Sequence, residues 1–314
     1  MKICFYNGHP YWSGICNNGG SRTILKSADT LRKMGHRVSV VARIDRFTWF
    51  EHKKTLKVIP KDTEAVIAVS ISDVELVMEK APKHATLAYW ARPFETWQRP
   101  SAEIYRILRK FTKRGNIVMC NSGWQVRKLK KNGIKSHLVF SGLDCEDFYP
   151  DSGKPDKITV GALSNTVLRK QFFLFIHLMQ KAGDKFNYFL YGNMDYGGGD
   201  LFLKQPGIDK LRRLYSSCHV WVATSTLEGF HNPPAEAGLC GALVMVYDHK
   251  QNGSMDYVSK WTGETYTDVD ELIEKIENAD YSKVAKMQRR LRKHIGNRKH
   301  NMKKMVEILH DHKR

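Results

Sequence analysis

The feature that most constrains the fold is an alternation of short apolar runs with longer segments of helical periodicity. Apolar runs bounded by turn residues predict buried strands, and amphipathic spacing between them predicts helices. We predict strands at 2–6, 37–42, 64–69, 85–90, 116–120, 137–141, 157–162, 186–191, 219–223 and 242–246. Strands separated in this way form parallel βαβ units, so the sequence predicts an α/β protein.

The length of the chain predicts more than one domain. A chain of 314 residues exceeds the size at which a single hydrophobic core usually keeps growing. The polar stretch at 151–155, DSGKP, is the best candidate for a linker. We therefore predict one domain over 1–150, a second over 151–295, and a basic helical tail over 296–314.

One segment combines two carboxylates with a helix start. An apolar run leads into Glu228, and the turn Gly229-Phe230 separates it from a Pro-Pro helix start that carries Glu236. In open α/β sheets, ligands bind outside the carboxyl ends of the strands. The first turn of a helix has free N–H groups that can hold a phosphate. The segment therefore offers carboxylates to hydroxyl groups beside an anion site, which fits a nucleotide sugar.

The same segment resembles the Glu-x7-Glu signature of retaining glycosyltransferases of the GT-B fold, most closely the family 4 group. Further resemblances to the family follow in its own order: Gly19-Gly20, the stretch MGHRV at 34–38, NSGW at 121–124, SGLD at 141–144 with FYP at 148–150, and Arg169-Lys170. The resemblance implies two Rossmann-like domains facing across a cleft. It also implies that the last helix, in residues 296–314, crosses back to the first domain.

The resemblance also implies roles for individual residues. Glu228 would meet hydroxyl groups of the transferred sugar, Glu236 would accept hydrogen bonds from the ribose, and Arg169 and Lys170 would stabilise the leaving diphosphate. The remaining donor-binding candidates are Gly19, Gly20, Gly161, Asn193, Gly229 and Phe230. The cation pair would make a metal ion unnecessary, so we expect no cofactor beyond the nucleotide-sugar substrate.

The chain departs from the family pattern at several positions. Ala162-Leu163 follows Gly161 where the family often has an arginine, and Gln171 replaces a glycine. The first-domain histidine of the family has no clear counterpart, and the stretch YWARP at 89–93 takes its place. In the family the diphosphate itself is thought to take the acceptor proton, so the chain would need no protein base.

The net charge of +19 is unevenly spread and points to an anionic partner. Residues 105–143 contain ten Lys and Arg and no acidic residue, and residues 283–314 contain twelve cations against Glu307 and Asp311. In 103–114 the apolar residues form one helical stripe, which turns the cations outward. The candidates for the acceptor side are Trp90, Arg92, Arg109, Lys110, Lys113, Arg114, Arg127 and Lys128. We therefore expect a polyanionic acceptor.

Two classes of acceptor fit this charge. A hydroxylated base in DNA would use the cations for phosphates, with Trp90, Trp97 and Trp124 holding an extruded base. A peripheral membrane enzyme acting on a lipid-linked or cell-envelope saccharide would use them for anionic lipid. Against the membrane, the sequence shows no evident exposed Trp, Phe or Leu ridge beside the cations. DNA is slightly favoured.

Other classes of function fit less well. A non-catalytic GT-B-fold binding protein would not need the complete set of site residues, and a sugar-nucleotide epimerase would not use the basic surface. The dinucleotide pattern G-x-G-x-x-G and the P-loop pattern are both absent. Asp268-Val269-Asp270 matches the D-x-D of metal-dependent transferases, but with Glu271 it better predicts a capped helix start. The cysteine spacing predicts free thiols, and with no apparent signal peptide or membrane span we expect a cytoplasmic protein.

Overall fold

The computed structural model describes residues 1–9, 14–96, 98–258 and 263–312. Its internal contacts divide the chain into two compact units. Unit 1 contains Met1–Gly142 together with the C-terminal segment from Arg298, and unit 2 contains Leu143–Asn297. The division falls before the predicted boundary at 150/151, because Leu143 donates its N–H to the carbonyl of Gly296 at 3.1 Å and so belongs with unit 2.

Each unit is built on a parallel sheet of six strands. The strands of unit 1 are β1 (Lys2–Asn7), β2 (Arg37–Ala42), β3 (Ala65–Ala68), β4 (Thr86–Ala91), β5 (Ile117–Cys120) and β6 (His137–Leu138). Those of unit 2 are β7 (Thr159–Ser164), β8 (Asn187–Gly192), β9 (Leu201–Lys204), β10 (Val220–Ala223), β11 (Leu243–Tyr247) and β12 (Glu264–Tyr266). All ten predicted strands are present. The edge strands β9 and β12 were missed because they are short and only partly buried.

Most of the helices lie between the strands, as expected for βαβ units, and the last ones follow β12. They are α1 (Gly19–Lys33), α2 (Asp73–Lys80), α3 (Ser101–Lys113), α4 (Gly123–Lys131), α5 (Phe173–Ala182), α6 (Ile208–Ser217), α7 (Asn232–Leu239), α8 (Val269–Glu277), α9 (Lys283–Ile295) and α10 (Arg298–Asp311). In the part of the chain that the structure describes, none of the helices has the length and hydropathy of a membrane span.

The last helix belongs to unit 1, as predicted. Met302, Met305 and Leu309 of α10 are buried in the same core as Phe5 of β1 and Trp90 of β4. The helix begins at Arg298, whose buried guanidinium donates to the carbonyl of Ser141 at 2.7 Å and to the hydroxyl of Ser27 at 3.2 Å. The apolar side chains and the arginine together hold the end of the chain on the first sheet.

The strand orders place one ligand-binding position in each unit. Unit 1 has the order β2-β1-β3-β4-β5-β6, and unit 2 has the order β12-β11-β10-β7-β8-β9. The direction of winding reverses between β1 and β3 in unit 1 and between β7 and β10 in unit 2. In doubly wound sheets, the loops beyond the carboxyl ends of the strands at such a reversal form the ligand crevice.

Candidate functional site

The loops after β7 and β10 flank the reversal in unit 2 and are bonded to each other. A short 3₁₀ helix, Leu168–Lys170, follows β7 and carries both predicted cations. The carbonyl of Arg169 accepts from the N–H of Thr226 at 3.0 Å, and the carbonyl of Lys170 accepts from the hydroxyl of Thr224 at 2.5 Å. The backbone that carries the cations is therefore fixed by the loop that leads to Glu228.

Lys170 and Glu228 form an ion pair that is largely shielded from water. The ammonium of Lys170 is bonded to Oε1 of Glu228, and the two side chains are 17% and 12% exposed. Burial alone would raise the pKa of Glu228, but Lys170, then His231 and Arg169, lower it to about 2. Glu228 therefore stays ionised at neutral pH and can accept hydrogen bonds, but it cannot serve as a general acid.

His231 completes this cluster, and sequence reasoning missed it. Its Nδ1 lies 2.7 Å from the hydroxyl of Ser254, and its Nε2 lies 3.8 Å from Oε1 of Glu228. Burial is the largest cause that lowers its pKa, to about 4, so the ring is neutral at pH 7. Its backbone has φ 62°, a left-handed conformation that costs a non-glycine residue about 1–2 kcal/mol. The only indication in the sequence that His231 belongs to this cluster is its position between Glu228 and a Pro-Pro pair.

The loop after β11 closes over the loop after β10. The carbonyl of Gln251 accepts from the N–H of Glu228 at 3.1 Å, and the amide of Asn252 donates to the carbonyl of Ser225 at 2.9 Å. A Cβ at Gly253 would lie only 1.2 Å from the carbonyl oxygen of Gly229, so this approach requires a glycine at 253. The second loop thereby fixes the backbone on which Glu228 is presented.

Glu236 lies on α7 and is buried against tyrosines. Its Oε2 accepts from the hydroxyl of Tyr215 at 3.2 Å, and that hydroxyl lies 2.8 Å from the hydroxyl of Tyr191. Helix α7 follows His231 directly and has prolines in its first turn, where a missing N–H is tolerated. The structure thus brings Glu228, Glu236, Arg169 and Lys170 to the elements that follow β7 and β10.

The other donor-binding candidates in unit 2 have mixed environments. Asn193 is exposed directly after β8. Phe230 is buried, and its ring lies 5.4 Å from that of Tyr257, so it packs inside the unit. Gly161 faces Trp221, and a Cβ there would lie 2.6 Å from the indole ring and 2.5 Å from the sulfur of Cys218. Close packing therefore accounts for the glycine at 161.

In unit 1, Gly19 and Gly20 begin helix α1 instead of forming a loop. Asn18 caps the helix by accepting from the N–H of Ser21 at 2.7 Å. Neither glycine has a positive φ. A Cβ at Gly20 would instead lie 2.9 Å from Nη1 of Arg92. Arg92 donates to the carbonyl of Val69 at 2.8 Å, which brings a predicted acceptor-side cation to the start of α1.

Two of the three tryptophans predicted to hold an extruded base are buried in the core of unit 1. Trp90 is fully buried, and its indole N–H donates to the carbonyl of Val139 at 3.0 Å. Trp124 is also buried, and its ring lies 6.1 Å from that of Phe94. Trp97 lies outside the described residues. The prediction for Trp90 and Trp124 was wrong because apolar runs in parallel strands and helices pack into the core.

Most of the predicted acceptor-side cations lie at the opposite edge of the sheet from Arg92. Helices α3 and α4 start at the carboxyl ends of strands and run back to the amino ends of the next strands. Of the predicted cations on and directly after these helices, the exposed ones are Arg109, Lys110, Lys113, Arg114 and Arg127. Lys113 is the last residue of α3 and therefore lies near the start of β5. The ammonium of Lys128 instead packs over the ring of Phe94, 4.4 Å from its centroid.

An exposed apolar group lies beside the cations of unit 2. Leu168 and Phe173 flank Arg169 and Lys170 in sequence and are 87% and 58% exposed. Val167, Met194 and Tyr196 are also exposed. These side chains belong to unit 2, so the expectation that the basic clusters of unit 1 have no apolar ridge beside them stays a prediction.

The D-x-D sequence is a helix start, as its composition predicted. Asp268 caps α8 by accepting from the N–H of Glu271 at 2.9 Å, and Glu271 accepts from the N–H of Thr267 at 2.7 Å. Asp270 pairs with Lys181. Across residues 1–9, 14–96, 98–258 and 263–312, no group of three His, Cys, Asp or Glu side chains has the spacing of a metal site.

Solved structures identify the fold as GT-B. Anabaena HepE in complex with UDP-glucose aligns with a TM-score of 0.78 at 14% identity, over 99% of this chain and 100% of that one. Sucrose-phosphate synthase from Thermosynechococcus elongatus aligns with a TM-score of 0.77 at 14% identity, over 99% and 98%. An α-glucosyltransferase in complex with UDP and a 13-mer DNA containing a HMU base aligns with a TM-score of 0.69 at 14% identity, over 99% of both chains.

The fold of these glycosyltransferases is therefore the fold of this chain. No protein-family model matches the sequence, and no curated protein sequence does. The TM-scores establish the shared architecture. Sequence identity of 14% does not establish a family, so membership of family 4 stays a prediction.

Proposed function

We propose that this protein is a retaining glycosyltransferase that moves a sugar from a nucleotide-diphosphate sugar to an acceptor hydroxyl. The observation that carries the proposal is the Lys170–Glu228 pair at the reversal of the unit 2 sheet, with Arg169 beside it and Glu236 on the next helix. The solved structures with the same fold support it, because their complexes contain UDP or UDP-glucose.

The proposed roles follow from the charge state of each group. Negative charge grows on the leaving diphosphate during transfer, and cations held in place before the reaction stabilise that charge most effectively. Lys170 is held by Glu228, and the backbone of Arg169 is held by Thr226. Glu228, with a pKa lowered to about 2, would accept hydrogen bonds from the transferred sugar. Glu236 would accept them from the ribose.

Metal independence is part of the same proposal. Two cations beside the diphosphate would supply the charge that a divalent metal supplies in other transferases. The diphosphate would take the acceptor proton, so the reaction would require no separate base. Transfer that continues unchanged in excess EDTA is the expected result, and activity restored only by added Mg²⁺ or Mn²⁺ would contradict it.

The experiment that tests the site is E236A. We expect this substitution to abolish donor binding, as measured by calorimetry with UDP, GDP and ADP, and to abolish turnover with the matching sugar donor. The matched control is E264A, which removes a carboxylate of unit 2 that pairs with Lys283 away from the site. Wild-type kinetics in E236A would refute the site assignment.

We propose that the acceptor is polyanionic, with a hydroxylated base in DNA slightly favoured. The exposed cations of α3 and α4 support this, and so does the exposed basic face of α9, where Lys286, Arg289, Arg290, Arg292 and Lys293 lie on a helix without an acidic residue. The α-glucosyltransferase solved with DNA has the same fold. Because Trp90 and Trp124 are buried, base recognition would have to rely on other side chains.

The alternative acceptor is a lipid-linked or cell-envelope saccharide at a membrane surface. The exposed Leu168 and Phe173 beside Arg169 and Lys170 favour it, because membrane-surface proteins pair apolar side chains with cations. Binding to duplex DNA and to anionic phosphatidylserine vesicles across a salt series separates the two. Tight vesicle binding without affinity for DNA would overturn the preference for nucleic acid.

A further inference from the structure

Two histidines from distant parts of the sequence face each other in unit 1. His137 begins β6, and His312 directly follows α10. Their ring centroids are 5.8 Å apart, and the ring planes are nearly perpendicular at 88°. Nδ1 of His312 lies 2.9 Å from the carbonyl oxygen of Ile308, which can only accept, so Nδ1 carries a proton. The fold therefore holds two groups that can become charged beside each other.

Positive groups surround this pair. Burial is the largest cause that lowers the pKa of His137, and His312, Lys135 and Lys304 lower it further. Strand β5 and helix α4 also pack against β6, but neither contributes a charged group that shifts this pKa. The two lysines are exposed, and neither forms an ion pair with another described residue. The ring of His137 is therefore mostly neutral at pH 7.

The acidic residues of the last helix do not balance these charges. Glu307 pairs with a neighbouring lysine of the same helix at 4.0 Å, and Asp311 is exposed. Neither is among the groups that shift the pKa of His137. The negative end of a helix dipole stabilises cations in the last turn. That explanation does not extend to Lys135, which lies in a loop, or to Lys304, which lies in the middle of α10.

The positive cluster continues along the amino edge of the unit 1 sheet. His137 pairs with Met119 of β5 in parallel, so Lys135 lies near the start of that strand. Helices α3 and α4 end at the same edge, where the guanidinium of Arg109 donates to the carbonyl of Asn132 at 3.2 Å. Further exposed cations at these two helix ends are Lys113, Arg114, Lys130 and Lys131. None of these four forms an ion pair with a residue that the structure describes.

The arrangement of these cations favours an extended polyanion. A single phosphate is held by donors that converge on one point, whereas cations spread along an edge match charges that repeat along a chain. In the described part of the chain, the large apolar side chains that are exposed lie outside residues 109–138 and 298–312. A membrane-binding surface places such side chains beside its cations, so this edge fits nucleic acid better than lipid.

We propose that this basic edge binds the phosphate backbone of a nucleic acid, and that the histidine pair makes the binding stronger as the pH falls. The basic edge consists of Lys113, Arg114, Lys130, Lys131, Lys135, His137, Lys304 and His312. A phosphate beside His137 favours the charged ring, because it offsets the repulsion by the lysines. The inference shares with the proposed function only the nucleic acid, because the edge lies in unit 1 and contains none of the donor-site candidates.

Proton uptake on binding determines the sign of the pH dependence. The pKa of His137 in the free protein lies below the usual 6.5, and a bound phosphate raises it. Between these two pKa values, binding takes up a proton, so the affinity increases as the pH falls. One proton changes the affinity by about tenfold for each pH unit in this interval. Phosphodiesters stay ionised throughout it, so the DNA itself contributes no change.

The first experiment measures fluorescence anisotropy of a labelled duplex DNA at pH 7.5 and pH 6.0 and at constant ionic strength. We expect wild type to bind about tenfold more tightly at pH 6.0. H137Q/H312Q, checked for folding by circular dichroism, should match wild type at pH 7.5 and lose the gain at pH 6.0. The matched control H177Q, at an exposed histidine of α5, should keep the gain. A gain that persists in H137Q/H312Q, or no gain in wild type, overturns the role of the histidines.

The second experiment removes only exposed lysines and so leaves the core of unit 1 intact. In K135Q/K304Q the salt slope of DNA binding should fall by about 0.9 for each phosphate that is no longer neutralised. K204Q/K210Q removes the same charge from exposed positions of unit 2 and should leave the slope unchanged. An unchanged slope in K135Q/K304Q, or a loss confined to the binding of phosphatidylserine vesicles, overturns the proposal.

UDP affinity separates this inference from the proposed function. K135Q/K304Q should bind UDP as wild type does, because both lysines belong to unit 1. If DNA binding follows the expected pattern while UDP, GDP and ADP all fail to bind, the basic edge stands and the proposed function is refuted. If a nucleotide binds and the DNA results differ from those expected, only this inference is overturned.

Discussion

The carboxyl edges of the two sheets contain buried glutamates whose pKa values shift in opposite directions. In unit 2, Lys170 and its neighbours lower the pKa of Glu228 to about 2 despite its burial. In unit 1, burial raises the pKa of Glu95 to about 6, although Arg92 and several hydrogen bonds oppose it. Each glutamate follows a strand of a parallel sheet, so the difference arises from the nearest cation and from the bonds that each carboxylate makes.

The two glutamates also differ in what they hold. Glu95 accepts from the backbone N–H of Ile71 and from the hydroxyl of Ser70 at 3.3 Å, so it fixes the loop that starts α2. Glu228 is bonded to a side-chain cation and remains 12% exposed. A carboxylate that orders backbone contributes to stability, whereas one that is charged and partly accessible can meet a ligand. Substitutions at each edge, and away from both, can test this contrast.

The largest expected effect comes from K170M. Removing a cation that stabilises a developing charge typically costs about 10³-fold in rate, and we expect a loss of that order in transfer activity. The measurement is steady-state transfer with the cognate nucleotide sugar. The matched control is K181M, whose partner Asp270 is exposed, and it should retain activity. Near-normal activity in K170M would show that the Lys170–Glu228 pair only stabilises the fold of unit 2. Glu228 would then resemble Glu95, which orders backbone in unit 1.

The acid dependence of stability should reveal Glu228. Its pKa is lowered from 4.5 to about 2 on folding, so its contribution is present above pH 4.5 and is lost as pH falls toward 2. The shift corresponds to about 3 kcal/mol. In Tm measurements between pH 7 and pH 2, E228Q should lack this loss. An unchanged acid profile in E228Q would mean that Lys170 does not hold the carboxylate ionised in solution.

Glu95 should show the opposite and smaller dependence. Its folded pKa of about 6 exceeds the usual 4.5, so the folded state binds the proton more tightly and stability increases as pH falls from 7 to 4.5. The expected gain is about 2 kcal/mol relative to E95Q. Urea midpoints at pH 7 and 4.5 measure it. Parallel profiles for E95Q and wild type would remove the contrast between the edges.

G161A tests whether a predicted donor-binding position has only a packing role. The added methyl would meet the Trp221 ring and Cys218, and overpacking of a core costs about 1–3 kcal/mol. We expect a lower Tm with unchanged UDP affinity in the folded protein. G153A, where a Cβ meets no atom within 4 Å, is the matched control. A decrease in UDP affinity at unchanged stability would return Gly161 to the donor site.

The smallest effect on folding is expected from cations that lie away from both carboxyl edges. K110Q/K113Q/R114Q removes exposed charges at the end of α3, where surface substitutions usually change stability by no more than about 0.5 kcal/mol. If these residues bind DNA, the salt slope of binding should fall by about 0.9 for each phosphate that they no longer neutralise. An unchanged slope would exclude this surface from acceptor binding. UDP affinity serves as the internal control.

The sequence by itself determined the architecture and the position of the candidate site. Parallel βαβ units follow from local periodicity, and the cap at Asp268 and the proline start of α7 follow from chemistry within a few residues. Glu228 was expected at a strand end because a buried run leads directly into a turn. These features depend on neighbours in sequence, which is why they can be recognised without a structure.

Only the tertiary structure decided what surrounds those residues. The approach of Gly253 to Gly229 and the contact of Ser254 with His231 join loops that are distant in sequence, and no local pattern encodes them. Burial of Trp90 and the position of the α3 cations at the amino edge likewise follow from how helices pack on a sheet. A charge or a ring can be read from the sequence, but its environment, and therefore its pKa and its accessibility, comes from long-range packing.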